Sequence, residues 1–124
     1  MTSPEELLEK IQKLIDQNPQ YKFEAYSFIL ASLHHTMSKM PKPRHITGRE
    51  FCDGIRLYAI DQYGPLARTV LEHWGIHTTL DLGKLVFALI DIGLMRKSEE
   101  DTLEDFKDVY EFKVAFDNKM VFDT

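Results

Sequence analysis

Helix start and stop signals between Thr47 and Met95 constrain the fold of this chain more than any other feature of its sequence. Thr47 is followed three residues later by Glu50, which is the spacing of a capping box. The stop signals downstream are Gly64 with Pro65, Gly75, and Gly93. Glycine commonly ends helices and proline fits the first helical position, while apolar residues recur between these signals at intervals of three and four. The stretch therefore predicts three consecutive helices.

Two further helices are predicted upstream. Ser3 and Pro4 form a helix entrance, and the helix is expected to end near Asn18 because the next residue is proline. Apolar residues at helical spacing predict a second helix from about Phe23 to Ser38. Residues 40–43 read Met-Pro-Lys-Pro and predict a stiff, extended loop after it.

The most apolar predicted helix covers residues 79–92. Its stripe consists of Leu82, Leu85, Val86, Leu89 and Ile90. Thr78 or Thr79 is placed to cap it, and Asp81 in its first turn complements the helix dipole. A helix with so wide an apolar face belongs in the interior. We predict a mainly α fold, a compact bundle of about five helices around this central helix.

The pattern is ambiguous beyond Gly93. Leu94–Lys97 favours a short strand, and several aromatic residues downstream suit either strand alternation or a helical face. These aromatic residues are Phe106, Tyr110 and Phe112. We predict a small β-hairpin or extended arm, winged-helix-like in part, followed by a short helix around residues 112–116. Length favours a single domain over residues 1–124.

Charge and composition weigh against several partners. The formal net charge is −5, and residues 99–124 hold nine acidic and three basic residues, so nucleic acid is a disfavoured partner. The longest apolar run, Leu85–Ile90, has six residues, and no membrane-spanning segment is predicted. The single cysteine forms no internal disulfide and favours a reducing cytoplasm.

No metal site, cofactor or catalytic nucleophile is predicted. His73 and His77 have a spacing used for metal binding, but Gly75 between them is expected to end the helix and break their common face. Cys52 falls on the apolar face of its helix, where a free cysteine usually behaves as a small buried hydrophobe.

Three polar or aromatic features each allow two interpretations. The basic loop with Arg44, His45 and Arg49 either contacts an acidic partner or anion, or is solvated or paired with the acidic C-terminal segment. Arg68 either assists anion binding at a helix N-terminus or forms an ordinary ion pair with Glu72. Trp74 is either a recognition anchor or a core residue that closes its helix.

The chain resembles a bacterial family of about this length to which no function has been assigned. The matching residues are Glu24-Ala25-Tyr26, Arg44-His45, Gly48, Gly54-Ile55-Arg56, Gly64-Pro65, Ala67, Val70-Leu71, Trp74-Gly75, Gly83, Val86-Phe87, Gly93-Leu94-Met95, Asp101, Asp105-Phe106 and Tyr110. The resemblance covers residues 21–116 and implies a single small cytoplasmic domain, without implying an activity. Its polar positions form the candidate functional surface: Arg44, His45, Arg56, Arg68, Asp81 and Asp101.

Three functions from different classes follow from these observations. The leading hypothesis is a non-enzymatic protein-interaction or regulatory module, since helices and core are well specified while no catalytic set converges. A winged-helix-like nucleic-acid-binding protein is the alternative, although helix 79–92 carries only Asp81, Lys84 and Asp91 as charged residues. A small enzyme with an Arg/His/carboxylate cleft built on Arg44, His45 and Arg56 is the second alternative.

Overall fold

The computed structural model describes residues 3–96 and 101–116, and all the regular secondary structure in them is helical. The helices are α1 (Pro4–Gln17), α2 (Phe23–Ser38), α3 (Gly48–Tyr63), α4 (Ala67–His73), α5 (Thr79–Asp91) and the one-turn α6 (Phe112–Ala115), with short 3₁₀ helices at Gly64–Leu66 and Leu103–Phe106. The predicted mainly α fold with five principal helices is confirmed. Within the described ranges, every helix is too short or too polar to cross a membrane.

Two capping boxes begin the helices that form the middle of the molecule. Thr47 Oγ1 accepts a hydrogen bond from the Glu50 amide at 3.1 Å, and a Glu50 carboxylate oxygen accepts one from the Thr47 amide at 3.1 Å. Thr78 and Asp81 repeat the arrangement at the start of α5, with both bonds at 3.2 Å. Each cap stabilises its helix by about 1 kcal/mol. Both predicted helix starts are confirmed.

Left-handed glycines end α4 and α5, as their positions in the sequence predict. Gly75 has φ +94° and Gly93 has φ +82°, a region that residues with a Cβ rarely adopt. After Gly75, the Ile76 amide donates a hydrogen bond to the Leu71 carbonyl at 2.9 Å, which satisfies a terminal carbonyl of α4. The chain thereby turns sharply from α4 into α5.

The core is closed around α5, which contacts α2, α3 and the 3₁₀ helix Leu103–Phe106. The side chains of Leu82, Leu85 and Leu89 are fully buried, and Val86 is 5% exposed. The predicted burial of this helix is therefore confirmed. Leu82, Leu85 and Leu89 of its apolar stripe therefore form part of the molecular interior.

The predicted β-hairpin is wrong for the described residues, which contain no strand. Residues 94–96 follow α5 as irregular chain, and residues 97–100 of the expected arm lie outside the described ranges. From Thr102, whose amide donates to Asp105 at 2.9 Å, the chain forms a 3₁₀ helix that buries Phe106. This compact turn seats the Phe106 ring against α5, which an extended strand would not do. The short helix predicted around residues 112–116 is confirmed as α6.

Candidate functional site

A groove of about 710 Å³ lies among the described residues and is here called the α2–α5 groove. Its apolar lining consists of Leu33, Met37, Pro43, Ile46, Phe51, Val86, Phe87, Ile90, Leu94, Met95 and Phe106. Arg44, His45, Thr47, Arg96 and Asp101 are its polar members, and Gly48 and Gly93 complete it. A mostly apolar recess of this size with a few polar groups is typical of a binding site.

The floor and walls of the groove come from parts of the sequence that are far apart. Leu33 and Met37 lie in the second half of α2, and Val86 and Ile90 lie in α5. Phe106 reaches the groove from the 3₁₀ helix, with its ring edge-on to the Phe87 ring at a centroid distance of 6.2 Å.

Arg44 is held at the groove by a two-pronged ion pair. Its two terminal guanidinium nitrogens donate to the two Glu50 carboxylate oxygens at 3.1 and 2.6 Å, and one also donates to the His45 carbonyl at 2.9 Å. Hydrogen bonds from Arg44, and then from the Thr47 amide, lower the pKa of the Glu50 carboxyl from its ordinary 4.5 to about 2. The proline-containing loop is thus tied to the start of α3.

Substituting Glu50 with glutamine is expected to make the stability of the protein less dependent on pH in acid. The pKa of Glu50 is lower in the folded state, so its stabilising contribution is complete above about pH 4.5 and is lost as pH falls through about 2. Glutamine keeps the capping-box geometry and removes the charge. Urea unfolding should show the variant less stable at neutral pH, with the difference shrinking towards pH 2. The same substitution made in an Arg44→Met background is the control, and an undiminished pH effect there would contradict the assignment.

A second pair joins the loop to the chain beyond residue 100. His45 Nε2 lies 3.0 Å from Asp101 Oδ1, and the Asp101 side chain is only 17% exposed. These two residues are separated by 56 positions in the sequence. The structure therefore brings together Arg44, His45 and Asp101 from the predicted candidate surface.

Arg56, Arg68 and Asp81 do not line the groove. Arg56 Nε donates to the Ala115 carbonyl at 3.1 Å, which attaches α6 to α3. Asp81 caps α5 and also accepts a hydrogen bond from the Tyr21 hydroxyl, so it joins α5 to the start of α2. In the described structure, Arg56 and Asp81 each connect separate elements of the fold.

Two of the local interpretations have a clear outcome. Arg68 Nε lies 2.9 Å from a Glu72 carboxylate oxygen, which is the expected ion pair within α4. Trp74 is partly buried, with its ring centroid 5.6 Å from Phe28 and 5.8 Å from Tyr63. Both residues thus contribute to packing within the fold.

The groove also contains residues that no sequence motif marks as functional. Arg96 is exposed at its rim, and within residues 3–96 and 101–116 it has no hydrogen bond or ion pair. Met37 is 42% exposed, although it lies on the apolar face of α2. An exposed residue on a packed helix face indicates a groove. The groove can be recognised only once the packing of α2 against α5 is known.

The potential catalytic and metal-binding residues give no converging set. Cys52 is buried as predicted, and desolvation raises the pKa of its thiol to about 12. His73 and His77 are exposed on either side of the left-handed Gly75. In the part of the chain that the structure describes, no three His, Cys, Asp or Glu side chains form a group that could hold a metal ion.

No protein-family model, curated protein or solved structure matches this chain. The resemblance to a bacterial family stays a prediction.

Proposed function

We propose that this chain is a non-enzymatic protein-interaction module that binds its partner in the α2–α5 groove. The observation that carries the proposal is the composition of the groove, an apolar floor with charged residues at its rim. A concave, mostly apolar recess with a few polar groups at its edge is typical of a binding site.

The side chains of the groove suit a macromolecular partner. Met37 and Met95 are unbranched and polarizable, and methionine adapts its shape to the surface that it contacts. Neither is fully buried, so both are available to a partner. We also place the module in the cytoplasm, because its single, buried Cys52 does not require an oxidising compartment.

One contact favours the enzyme alternative. A histidine beside a carboxylate, as in His45 and Asp101, is an arrangement used for general acid–base catalysis. A nucleophile is not associated with it in the described residues, however. Thr47 Oγ1 accepts a hydrogen bond from the Glu50 amide as a helix cap, and the Cys52 thiol is buried. The pair is better explained as a connection that holds the loop beside the groove.

The nucleic-acid alternative is weakened by the surroundings of α5. In a winged-helix protein, the helix at this position presents polar side chains to base edges. Here Leu82, Leu85 and Leu89 on α5 are fully buried, and the formal net charge of −5 repels a phosphate backbone.

Substituting Met37 with glutamate is expected to weaken partner binding by at least about tenfold without unfolding the protein. The new carboxylate would stand in an apolar groove, and leaving it unpaired in a complex costs at least about 1.4 kcal/mol, or tenfold in affinity. Quantitative affinity capture from cell extract, comparing wild type with the variant, measures the loss. The matched control is Leu57→Glu, since Leu57 is 53% exposed and does not line the groove.

Two results would contradict the proposal. One is capture of the same proteins, in the same amounts, by wild type and Met37→Glu. The other is equal loss with Leu57→Glu, which would assign binding to a different surface or to nonspecific apolar contact. Urea unfolding of both variants establishes that each remains folded.

A further inference from the structure

We propose that the partner presents an amphipathic α-helix to the α2–α5 groove, with an acidic side chain that pairs with Arg96. This inference rests on the proposed function and adds the form and the charge of the partner. It is carried by three observations: the apolar floor of the groove, the absence of a strand among the described residues, and the position of Arg96.

The hydrogen-bonding needs of the partner's backbone favour a helix in this groove. An extended peptide that binds by strand addition pairs its amides and carbonyls with a sheet edge, and the described residues contain no strand. A helix satisfies these groups internally and offers one apolar face. Proline-rich peptides bind instead between exposed aromatic side chains, which are typically Trp and Tyr, and neither residue type lines this groove.

The charge of the partner follows from the rim. The Arg44 guanidinium already binds Glu50 in two places, and His45 lies against Asp101. Arg96, by contrast, is exposed and makes no ion pair with the residues that the structure describes. An arginine at the edge of an apolar groove favours a carboxylate, which it binds through two parallel hydrogen bonds.

The basic residues of the preceding loop add to this preference. Lys39 and Lys42 are both exposed, close in sequence to the loop residues that line the groove. Their field attracts an acidic segment and speeds its association. A helix with two or three large apolar side chains on one face and a flanking Glu or Asp matches both the floor and the rim.

Display selection of random peptides against the full-length protein tests this inference. The library should encode peptides of about 14 residues, or about four helical turns. We expect enriched sequences with apolar residues three and four apart and a flanking acidic residue. In fluorescence anisotropy, a labelled peptide of this consensus should lose about tenfold in affinity on Arg96→Glu. Replacing its acidic residue with lysine should restore binding to that variant.

Arg49→Glu is the matched control for charge, because Arg49 is exposed, lies outside the groove and gives the same change in net charge. Equal weakening by Arg49→Glu and Arg96→Glu would overturn the specific pairing. Groove-dependent peptides that show no acidic preference, or no helical spacing, would overturn the inference and leave the interaction module intact.

Failure of the proposed function gives a different result. In that case no peptide is enriched on wild type relative to Met37→Glu. Calorimetric titration with dodecanoate, run on the same samples, identifies the principal rival occupant, a small amphiphile. The helix proposal would be overturned if no peptide is enriched and if wild type binds dodecanoate while Met37→Glu does not. The groove would then be reassigned to an apolar carboxylate.

Discussion

Replacing Gly75 with alanine is expected to lower the free energy of unfolding by about 3 kcal/mol or more. Gly75 has φ +94°, where a Cβ costs about 1–2 kcal/mol by itself. A Cβ at this position would also lie 1.9 Å from the Gln20 carbonyl oxygen, far inside contact distance. Because that oxygen belongs to the backbone, relief requires the α4–α5 corner to move away from the link between α1 and α2. Urea unfolding measures the loss.

The Gly93→Ala variant separates the conformational cost of a positive φ from the steric clash of the added Cβ. Gly93 has a similar φ of +82°, but a Cβ there would meet no atom within 4 Å. We therefore expect a loss of only about 1 kcal/mol, which is the conformational cost alone. Equal losses for the two variants would mean that the corner does not pack against Gln20 as described.

The helix boundaries could be predicted because the interactions that set them are local. The Thr47–Glu50 and Thr78–Asp81 boxes each join residues three apart, and both appear in the sequence before any packing is known. The Arg68 ion pair is also local, spanning a single helical turn. Such interactions depend on a few neighbouring side chains and on no distant part of the chain.

The C-terminal region was harder to predict because its pattern supports two structures. Phe106, Tyr110 and Phe112 fit strand alternation, whereas Phe106, Val109 and Tyr110 fit a helical face. Packing decides between the two, since the Tyr110 hydroxyl donates to the Cys52 carbonyl at 2.8 Å and the Phe112 side chain is buried. The Tyr110–Cys52 hydrogen bond links residues that are 58 positions apart in the sequence, so no local signal indicates it.

The candidate site could be predicted only in part, because it too is assembled from residues that are far apart in the sequence. The sequence predicts Arg44, His45 and Asp101 as separate polar candidates, and the structure shows that Asp101 lies against His45. Arg96 was missed because a lone arginine after a helix has no distinctive pattern. Its importance arises from where the end of α5 lies relative to α2 and the loop. Arg56 and Asp81 were selected for their polarity, which in the described structure serves helix attachment and capping.

Replacing Phe106 with alanine is expected to lower the free energy of unfolding by about 3–5 kcal/mol. The Phe106 side chain is 4% exposed and packs edge-on against the Phe87 ring, so truncation to alanine removes a buried ring and its packing contacts. Phe106 also packs closely against α5. A Cβ added to Gly83 would lie 2.6 Å from the Cβ of Phe106. A domain of this size is stable by about 5–15 kcal/mol, so the variant should unfold at much lower urea concentration.

Phe23→Ala is the matched control, because it removes the same ring from a site that is 44% exposed, and we expect a loss below about 1 kcal/mol. The Phe106 variant also tests the groove, since Phe106 forms part of its floor. Peptide affinity should fall even under conditions in which the variant remains folded. A small stability loss together with unchanged peptide affinity would mean that the 3₁₀ helix neither closes the core nor shapes the groove, and the binding surface would then have to be sought elsewhere on the chain.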